Sequence, residues 1–222
     1  MSLQTIIDNA TYVDVDIREI SGSTLSRSGH YKTADRNINV YGFTFGMHDG
    51  LTYSTNRGVL QDIYTLGATT EANISLNNNS GMNYLTAYQG SLSDAQLDQL
   101  TIKQGASTNQ FYVDTTSVSG NVSGYTHLFK KGDYIQPLGN TSGYRYPYQV
   151  TSDVTWQVAN VGIEVHRNVI SQTDCDISSF TAMRVGNECR WHVKITNLPK
   201  YAVVPHDRLS FSDDFECIEV IT

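Results

Sequence analysis

The residues whose types and spacing could do chemistry are few in this sequence. Asp14 with Asp16, and Asp174 with Asp176, each place two acids one residue apart, a spacing that can hold a hard cation. On a β-strand this spacing puts both carboxylates on one face, where they could share the ion. We favour the simpler interpretation, in which Asp14 and Asp16 form the solvent side of an amphipathic strand.

Several motifs of common enzyme classes are missing. The chain has no Gly-x-Ser-x-Gly, no Gly-x-x-x-x-Gly-Lys-Ser/Thr, no Cys-x-x-Cys and no His-Glu-x-x-His. This removes the strongest sequence support for a nucleophile elbow, a phosphate-binding loop or a zinc site. The six histidines are scattered along the chain. The sequence therefore predicts a protein that is not an enzyme, with no catalytic residues, no metal site and no cofactor.

Two short segments keep an enzymatic alternative open. Residues 206–208 (His-Asp-Arg) and 166–167 (His-Arg) contain the residue types of an acid–base set, although no nucleophile accompanies either. A metal-dependent hydrolase built from Asp174, Asp176 and a histidine is the corresponding hypothesis. A stoichiometric bound ion would support it.

The three cysteines, Cys175, Cys189 and Cys217, are odd in number and unevenly spaced. Such a set does not form a closed disulfide framework. We expect buried thiols that act as small hydrophobic side chains.

One segment combines aromatic side chains with a cation. Tyr144, Arg145, Tyr146 and Tyr148 lie around Pro147. Interleaved tyrosine and arginine can stack on bases or sugar rings, but the same residue types anchor protein–protein interfaces. The chain has 15 basic and 22 acidic residues and a formal net charge of −7, which disfavours binding to nucleic acid. The sequence therefore assigns these four residues to an interface.

The composition predicts a folded protein without membrane insertion. Hydrophobic residues make up 39% of the 222 residues and charged residues 17%, which is enough apolar material for a core. No apolar run approaches the roughly 20 residues that cross a bilayer. The first residues lack the basic and apolar regions of a signal peptide, so we expect synthesis and assembly in a cytoplasm.

Alternation of apolar and polar residues predicts a mainly β fold. It is strict over residues 12–17 and 189–196, which is typical of a half-buried strand. The second segment places Trp191, Val193 and Ile195 on its core face. Seven further segments have strand character: 38–45, 73–76, 110–114, 134–137, 148–150, 162–170 and 215–221.

One helix is predicted near residues 54–66. Val59, Leu60 and Ile63 fall on one helical stripe there, and we expect them to cover the β core. A shorter helix is predicted after Ser93, which begins a capping-box pattern.

The chain divides by composition. Beyond residue 85 the sequence becomes rich in Gly, Ser, Thr and Tyr, with dense turn signals as far as residue 150. This pattern predicts a core β-barrel or sandwich built from residues 1–85 and 151–222. Residues 86–150 form a small β-rich insert in this prediction.

Four stretches carry a resemblance to a known family. They are residues 56–61, 81–90, 129–137 with 146–150, and 199–205 with 215–221. Together they resemble virion structural proteins of tailed bacteriophages, in particular tail and baseplate proteins of long-tailed phages. The resemblance implies a tail-tube-like β-barrel or sandwich with one flanking helix, the module of tail-tube, distal-tail and hub proteins.

The resemblance also implies a function. Such modules form hexameric rings around the DNA channel, with neighbouring tail-tube or baseplate proteins as partners and double-stranded DNA only as passing cargo. The expected location is the virion tail, after assembly in the cytoplasm of the host bacterium. The net charge of −7 is compatible with a wall that repels phosphate. The alternative is a carbohydrate- or receptor-binding β-sandwich module of a virion.

Overall fold

A computed structural model describes residues 3–25, 31–47, 51–66, 71–77, 82–119, 127–139, 146–170 and 179–221. The protein is mainly β, with 46% strand and 16% helix, and its curled sheets form a half-barrel beside one long helix. The prediction of a β-rich fold with one flanking helix is confirmed at this level. None of the helices in the described ranges combines the length and apolar character that a membrane crossing requires.

The elements of the described ranges follow one another in a mostly β order. The helices are α1 (Leu3–Ile7), α2 (Tyr53–Leu66) and α3 (Asp94–Leu97), with 3-10 turns at Met82–Leu85 and Gly186–Glu188. The strands are β1 (Ala10–Leu25), β2 (Tyr31–Met47), β3 (Glu71–Ile74), β4 (Thr101–Gln104), β5 (Gln110–Asp114), β6 (His127–Phe129), β7 (Tyr134–Pro137), β8 (Tyr148–Gln149), β9 (Val154–Thr155), β10 (Asn160–Glu164), β11 (Thr181–Val185), β12 (Trp191–Asn197), β13 (Tyr201–Val204), β14 (Arg208–Phe211) and β15 (Phe215–Glu219).

The first sheet has the strand order β1-β2-β15-β12-β3, and every neighbouring pair is antiparallel. Its inner face is apolar, because alternate residues of each strand point to the same side. The predicted core residues of β12, Trp191, Val193 and Ile195, are all buried, so that prediction is confirmed. Helix α2 lies against this face through a buried stripe of Val59, Leu60 and Ile63, also as predicted.

The β1–β2 hairpin is longer than the sheet to which it belongs. Its register runs from Ala10 opposite Met47 to Leu25 opposite Tyr31. By contrast, β15 pairs with β2 only over residues 42–45. The remainder of the hairpin is therefore a two-stranded ribbon that continues past the sheet.

The second sheet has the order β10-β5-β4-β11-β7-β8 and a separate hydrophobic cluster around Phe111, Ile135 and Ile163. It takes strands from both sides of residue 150, since β10 and β11 pair with β4, β5 and β7. The division into residues 1–85 with 151–222 and an insert of 86–150 stays a prediction. Within that division, the strands of the insert pair with strands that follow it in sequence.

A β13–β14 hairpin closes on the start of α2. The Asp207 carboxylate accepts hydrogen bonds from the backbone nitrogen (3.0 Å) and the hydroxyl of Ser54, in the first turn of the helix. A carboxylate at this place satisfies free N–H groups and opposes the positive end of the helix dipole. His206 and Asp207 both have positive φ, 68° and 59°, so the loop is a sharp left-handed turn. This contact fixes the hairpin to the helix.

Candidate functional site

The acidic pair on β1 lies at the surface of the first sheet. Asp14 and Asp16 are exposed on the solvent face, as predicted, and Asp16 pairs with exposed Arg18 at 3.0 Å. Across the part of the chain that the structure describes, no three His, Cys, Asp or Glu side chains are grouped so that they could hold an ion. Asp174 and Asp176 lie outside the described residues.

The cysteine prediction is confirmed for two of its three members. Cys189 and Cys217 are free and buried. Burial raises the pKa of both thiols, that of Cys217 to about 12, so neither is a nucleophile at neutral pH. Cys175 lies outside the described residues.

Both histidine segments have structural partners. His206 and Asp207 form the turn whose carboxylate caps α2. His166 and Arg167 lie between the two sheets, where Arg167 is 2% exposed.

Arg167 is the centre of a buried polar cluster that joins the two hydrophobic clusters. Its guanidinium pairs with both carboxylate oxygens of Glu219, Nη1 with Oε2 at 2.5 Å and Nη2 with Oε1 at 2.7 Å. It also donates to the carbonyl oxygens of Asn39 (2.6 Å) and Pro147 (2.8 Å). Asn39 belongs to β2 of the first sheet, while Pro147 precedes β8 of the second. One guanidinium therefore binds backbone from both sheets.

Aromatic rings enclose this ion pair. The guanidinium carbon of Arg167 lies 5.2 Å from the ring centroids of both Tyr41 and Tyr148, within cation–π distance. Burial by itself would lower the pKa of Arg167, but the hydrogen bonds and charge of Glu219 raise it above its ordinary value. Both side chains of the pair are 0% exposed, so the pair is fully desolvated, and its geometry specifies how the sheets meet.

His166 extends the cluster in its neutral form. Its Nδ1 accepts a hydrogen bond from the backbone N–H of Gln149 at 3.0 Å, so Nε2 carries the proton and donates to the Tyr41 hydroxyl at 3.1 Å. Burial, with a further contribution from the charge of Arg167, lowers the pKa of His166 to about 3. A protonated imidazole would lose the Gln149 bond and face a cation.

We therefore expect His166 to destabilise the protein in mild acid. The unfolded chain takes up this proton near pH 6.5, whereas the folded protein does so near pH 3, so the stabilisation is complete above pH 6.5 and is lost as the pH falls towards 3. Between pH 7 and pH 5 the loss should be about 2 kcal/mol. Urea unfolding at both pH values measures this loss. The His166→Gln variant should not show the loss of about 2 kcal/mol between pH 7 and pH 5, whereas a control variant at an exposed histidine, His206→Gln, should show it. An identical pH dependence in His166→Gln and the wild type would contradict the assignment.

Two of the four residues of the predicted aromatic interface are buried in the structure. Tyr146 and Tyr148 are each 2% exposed and lie in the second hydrophobic cluster, with the Tyr148 ring 4.9 Å from that of Phe111. Tyr144 and Arg145 lie outside the described residues. The interface assignment stays a prediction, but the buried rings of Tyr146 and Tyr148 belong to the hydrophobic core of this chain.

The most distinctive surface is the edge at β1, which is an outer strand of the first sheet and pairs only with β2 among the described strands. We call it the open edge. Val13, Val15 and Ile17 lie opposite Phe45, Phe43 and Tyr41, so all three belong to the inner face of the sheet. Val13 and Val15 are half-buried against the core, and Ile17 is 43% exposed. The apolar face of the sheet therefore extends beyond the part that the described residues cover.

Sequence reasoning missed Glu219 and Tyr41, although a signal for the first was present. Phe215, Cys217 and Glu219 are alternate residues of β15, and all are buried. A glutamate on the apolar face of a strand predicts a buried partner. Tyr41 gave no comparable signal, because a tyrosine is ordinary in a strand.

Comparison with known proteins adds no relative: no protein-family model matches the chain, and no curated protein matches it.

Proposed function

We propose that the protein is a structural subunit of a phage tail or baseplate ring, of the tube-like, distal-tail or hub type. It assembles around the DNA channel without performing catalysis. The resemblance of its sequence to virion proteins supports this proposal. So does the mainly β architecture with one long helix, which is compatible with a tail-tube-like barrel.

The open edge of β1 carries the proposal. A strand of 16 residues at the edge of a sheet presents unpaired backbone donors and acceptors to any other strand. Natural monomers shorten, bend or cover such edges. Here the edge also exposes the apolar side chain of Ile17. A neighbouring subunit would satisfy both features at once, because it would pair with the strand and cover the apolar row.

Repetition of that contact gives a closed assembly. The β1 edge of one subunit meets a different surface of the next, and such a head-to-tail contact generates a ring when the rotation closes. We propose six subunits, neighbouring tail-tube or baseplate proteins as further partners, and a location in the virion tail after assembly in the host cytoplasm.

Charge on the outer face of the first sheet suits a wall that faces DNA. Asp14, Asp16 and Glu216 alternate there with the apolar inner residues, and Asp14 and Glu216 both lie opposite Thr44. Basic residues also share this face: Arg18, which pairs with Asp16, and Lys194, which lies opposite Ile218. Carboxylates repel phosphate, so DNA passes such a wall without being held. In this proposal the outer face lines the channel and DNA is cargo instead of a bound ligand.

The proposed contact at the β1 edge can be tested with a substitution that introduces one charge there. Ile17→Lys should leave the subunit folded, since the side chain is 43% exposed, and should prevent strand pairing across subunits. Light scattering over a concentration series, followed by negative-stain images, should show rings for the wild type and monomers for the variant.

The matched control is Val158→Lys, which adds the same charge at a side chain that is 72% exposed and distant in sequence from β1. Rings should form normally in this variant. A wild type that stays monomeric throughout the series would contradict the proposal, as would rings formed equally well by Ile17→Lys.

A further inference from the structure

A groove lies on the outward side of α2, where the helix meets β13. Its volume is about 660 Å³, within the range of about 300–1,000 Å³ that is typical of small-ligand sites. The residues that line it are Tyr53, Arg57, Gln61, Tyr64, Thr65 and Tyr201. Every one of them has a polar atom in its side chain, and none is aliphatic.

Three tyrosines form one wall of the groove. The Tyr201 ring lies 6.3 Å from that of Tyr53 and 5.4 Å from that of Tyr64 between centroids, with interplanar angles of 30° and 50°. The Tyr64 hydroxyl donates to the carbonyl oxygen of Pro199, which fixes its ring. Because Asp207 fastens the β13–β14 hairpin to the start of α2, the aromatic wall is preformed.

The helix supplies the polar wall. Tyr53, Arg57, Gln61 and Thr65 succeed one another every four residues, so they share one face of α2. Arg57, Gln61 and Thr65 are all exposed, and these three form the polar wall next to Tyr53 of the aromatic wall. Among the described residues that line the groove, Arg57 is the only charged one, and none is a carboxylate. Its guanidinium forms no ion pair with any side chain in the described ranges.

We propose that this groove binds an acidic oligosaccharide of the uronic-acid type. The aromatic wall takes the C–H face of a pyranose ring, the sugar carboxylate pairs with the fork of Arg57, and the Gln61 amide and Thr65 hydroxyl bind neighbouring hydroxyls. An isolated cation among neutral polar groups is complementary to one carboxylate. This proposal is independent of ring assembly, which we assign to the β1 edge.

An acidic peptide is the rival occupant. Peptide-binding surfaces and interface cores contain apolar pockets for anchoring side chains. The described lining supplies none, since each of its side chains ends in a hydroxyl, an amide or a guanidinium. The lining therefore favours a polyhydroxylated ligand.

Isothermal titration with trigalacturonate, and with neutral maltotriose for comparison, tests the site on the full chain. The wild type should bind trigalacturonate saturably and maltotriose at least about tenfold more weakly. Arg57→Gln should weaken trigalacturonate binding about tenfold and remove the preference for the acidic sugar. Arg190→Gln removes an exposed arginine elsewhere and should leave the affinity within about twofold.

Tyrosine variants separate ring stacking from folding. Tyr201→Ala should weaken both sugars about tenfold, whereas Tyr201→Phe should retain most of the affinity because it keeps the ring. Both variants should form the same rings as the wild type in negative-stain images. The proposal is overturned if trigalacturonate fails to bind up to about 10 mM, if Arg190→Gln loses affinity as much as Arg57→Gln, or if hexaglutamate binds more tightly than trigalacturonate.

Discussion

Glu219→Gln should lower the free energy of unfolding by about 3–5 kcal/mol. The substitution keeps the size of the side chain but removes its charge, and it leaves the guanidinium of Arg167 unpaired in a site where both side chains are 0% exposed. The amide can accept only one of the two hydrogen bonds that the carboxylate now receives from Arg167. Urea unfolding at pH 7 measures the change.

Two further variants make the test specific to the buried pair. Glu216→Gln changes a half-buried glutamate on the other face of the same strand and should cost less than about 0.5 kcal/mol. Arg167→Met combined with Glu219→Leu removes both charges together, and it should be more stable than Glu219→Gln alone, because no charge remains buried without a partner. A loss below about 1 kcal/mol in Glu219→Gln would show that water reaches the cluster.

Tyr146→Ala should lower the free energy of unfolding of the protein by about 3–5 kcal/mol. The ring is 2% exposed within the second hydrophobic cluster, so its removal loses apolar burial and leaves a cavity. Thermal or urea unfolding gives the size of the effect. This outcome differs from that of an interface residue, whose truncation would weaken assembly and leave the monomer's stability unchanged.

Tyr84→Ala is the matched control, since Tyr84 is 69% exposed and its removal should change stability by no more than about 0.5 kcal/mol. If Tyr146→Ala is as stable as the wild type but no longer forms rings, Tyr146 is an interface residue and the prediction is wrong.

Local periodicity explains which parts of the fold could be predicted. The alternation in β12 and the helical stripe in α2 report directly which side chains are buried, because each repeats with the period of its element. Both were confirmed at Trp191 and Val59, among others. The spacing of apolar residues within a strand carries no information about the order of strands in a sheet. The exposed position of β1 and the pairing across residue 150 were therefore not predictable.

Composition is a weaker guide than periodicity for aromatic residues. Tyrosine and arginine are enriched at interfaces, but the Tyr148 ring packs on Arg167 inside the protein. The same residue types thus occur in both settings. The buried ion pair could not be predicted from the sequence, because Arg167 and Glu219 are 52 residues apart. Neither segment contains a pattern that indicates the other as its partner.

The strand order also has a consequence for synthesis. The inner neighbour of β2 is β15, and residues 48–214 separate them in the chain. At translation rates of about 5–20 residues per second, β15 is synthesised roughly ten to thirty seconds after β2. During this interval Phe43 and Phe45, which end in the core, lack the strand that flanks them. The nascent hairpin is therefore the segment for which a chaperone would matter most.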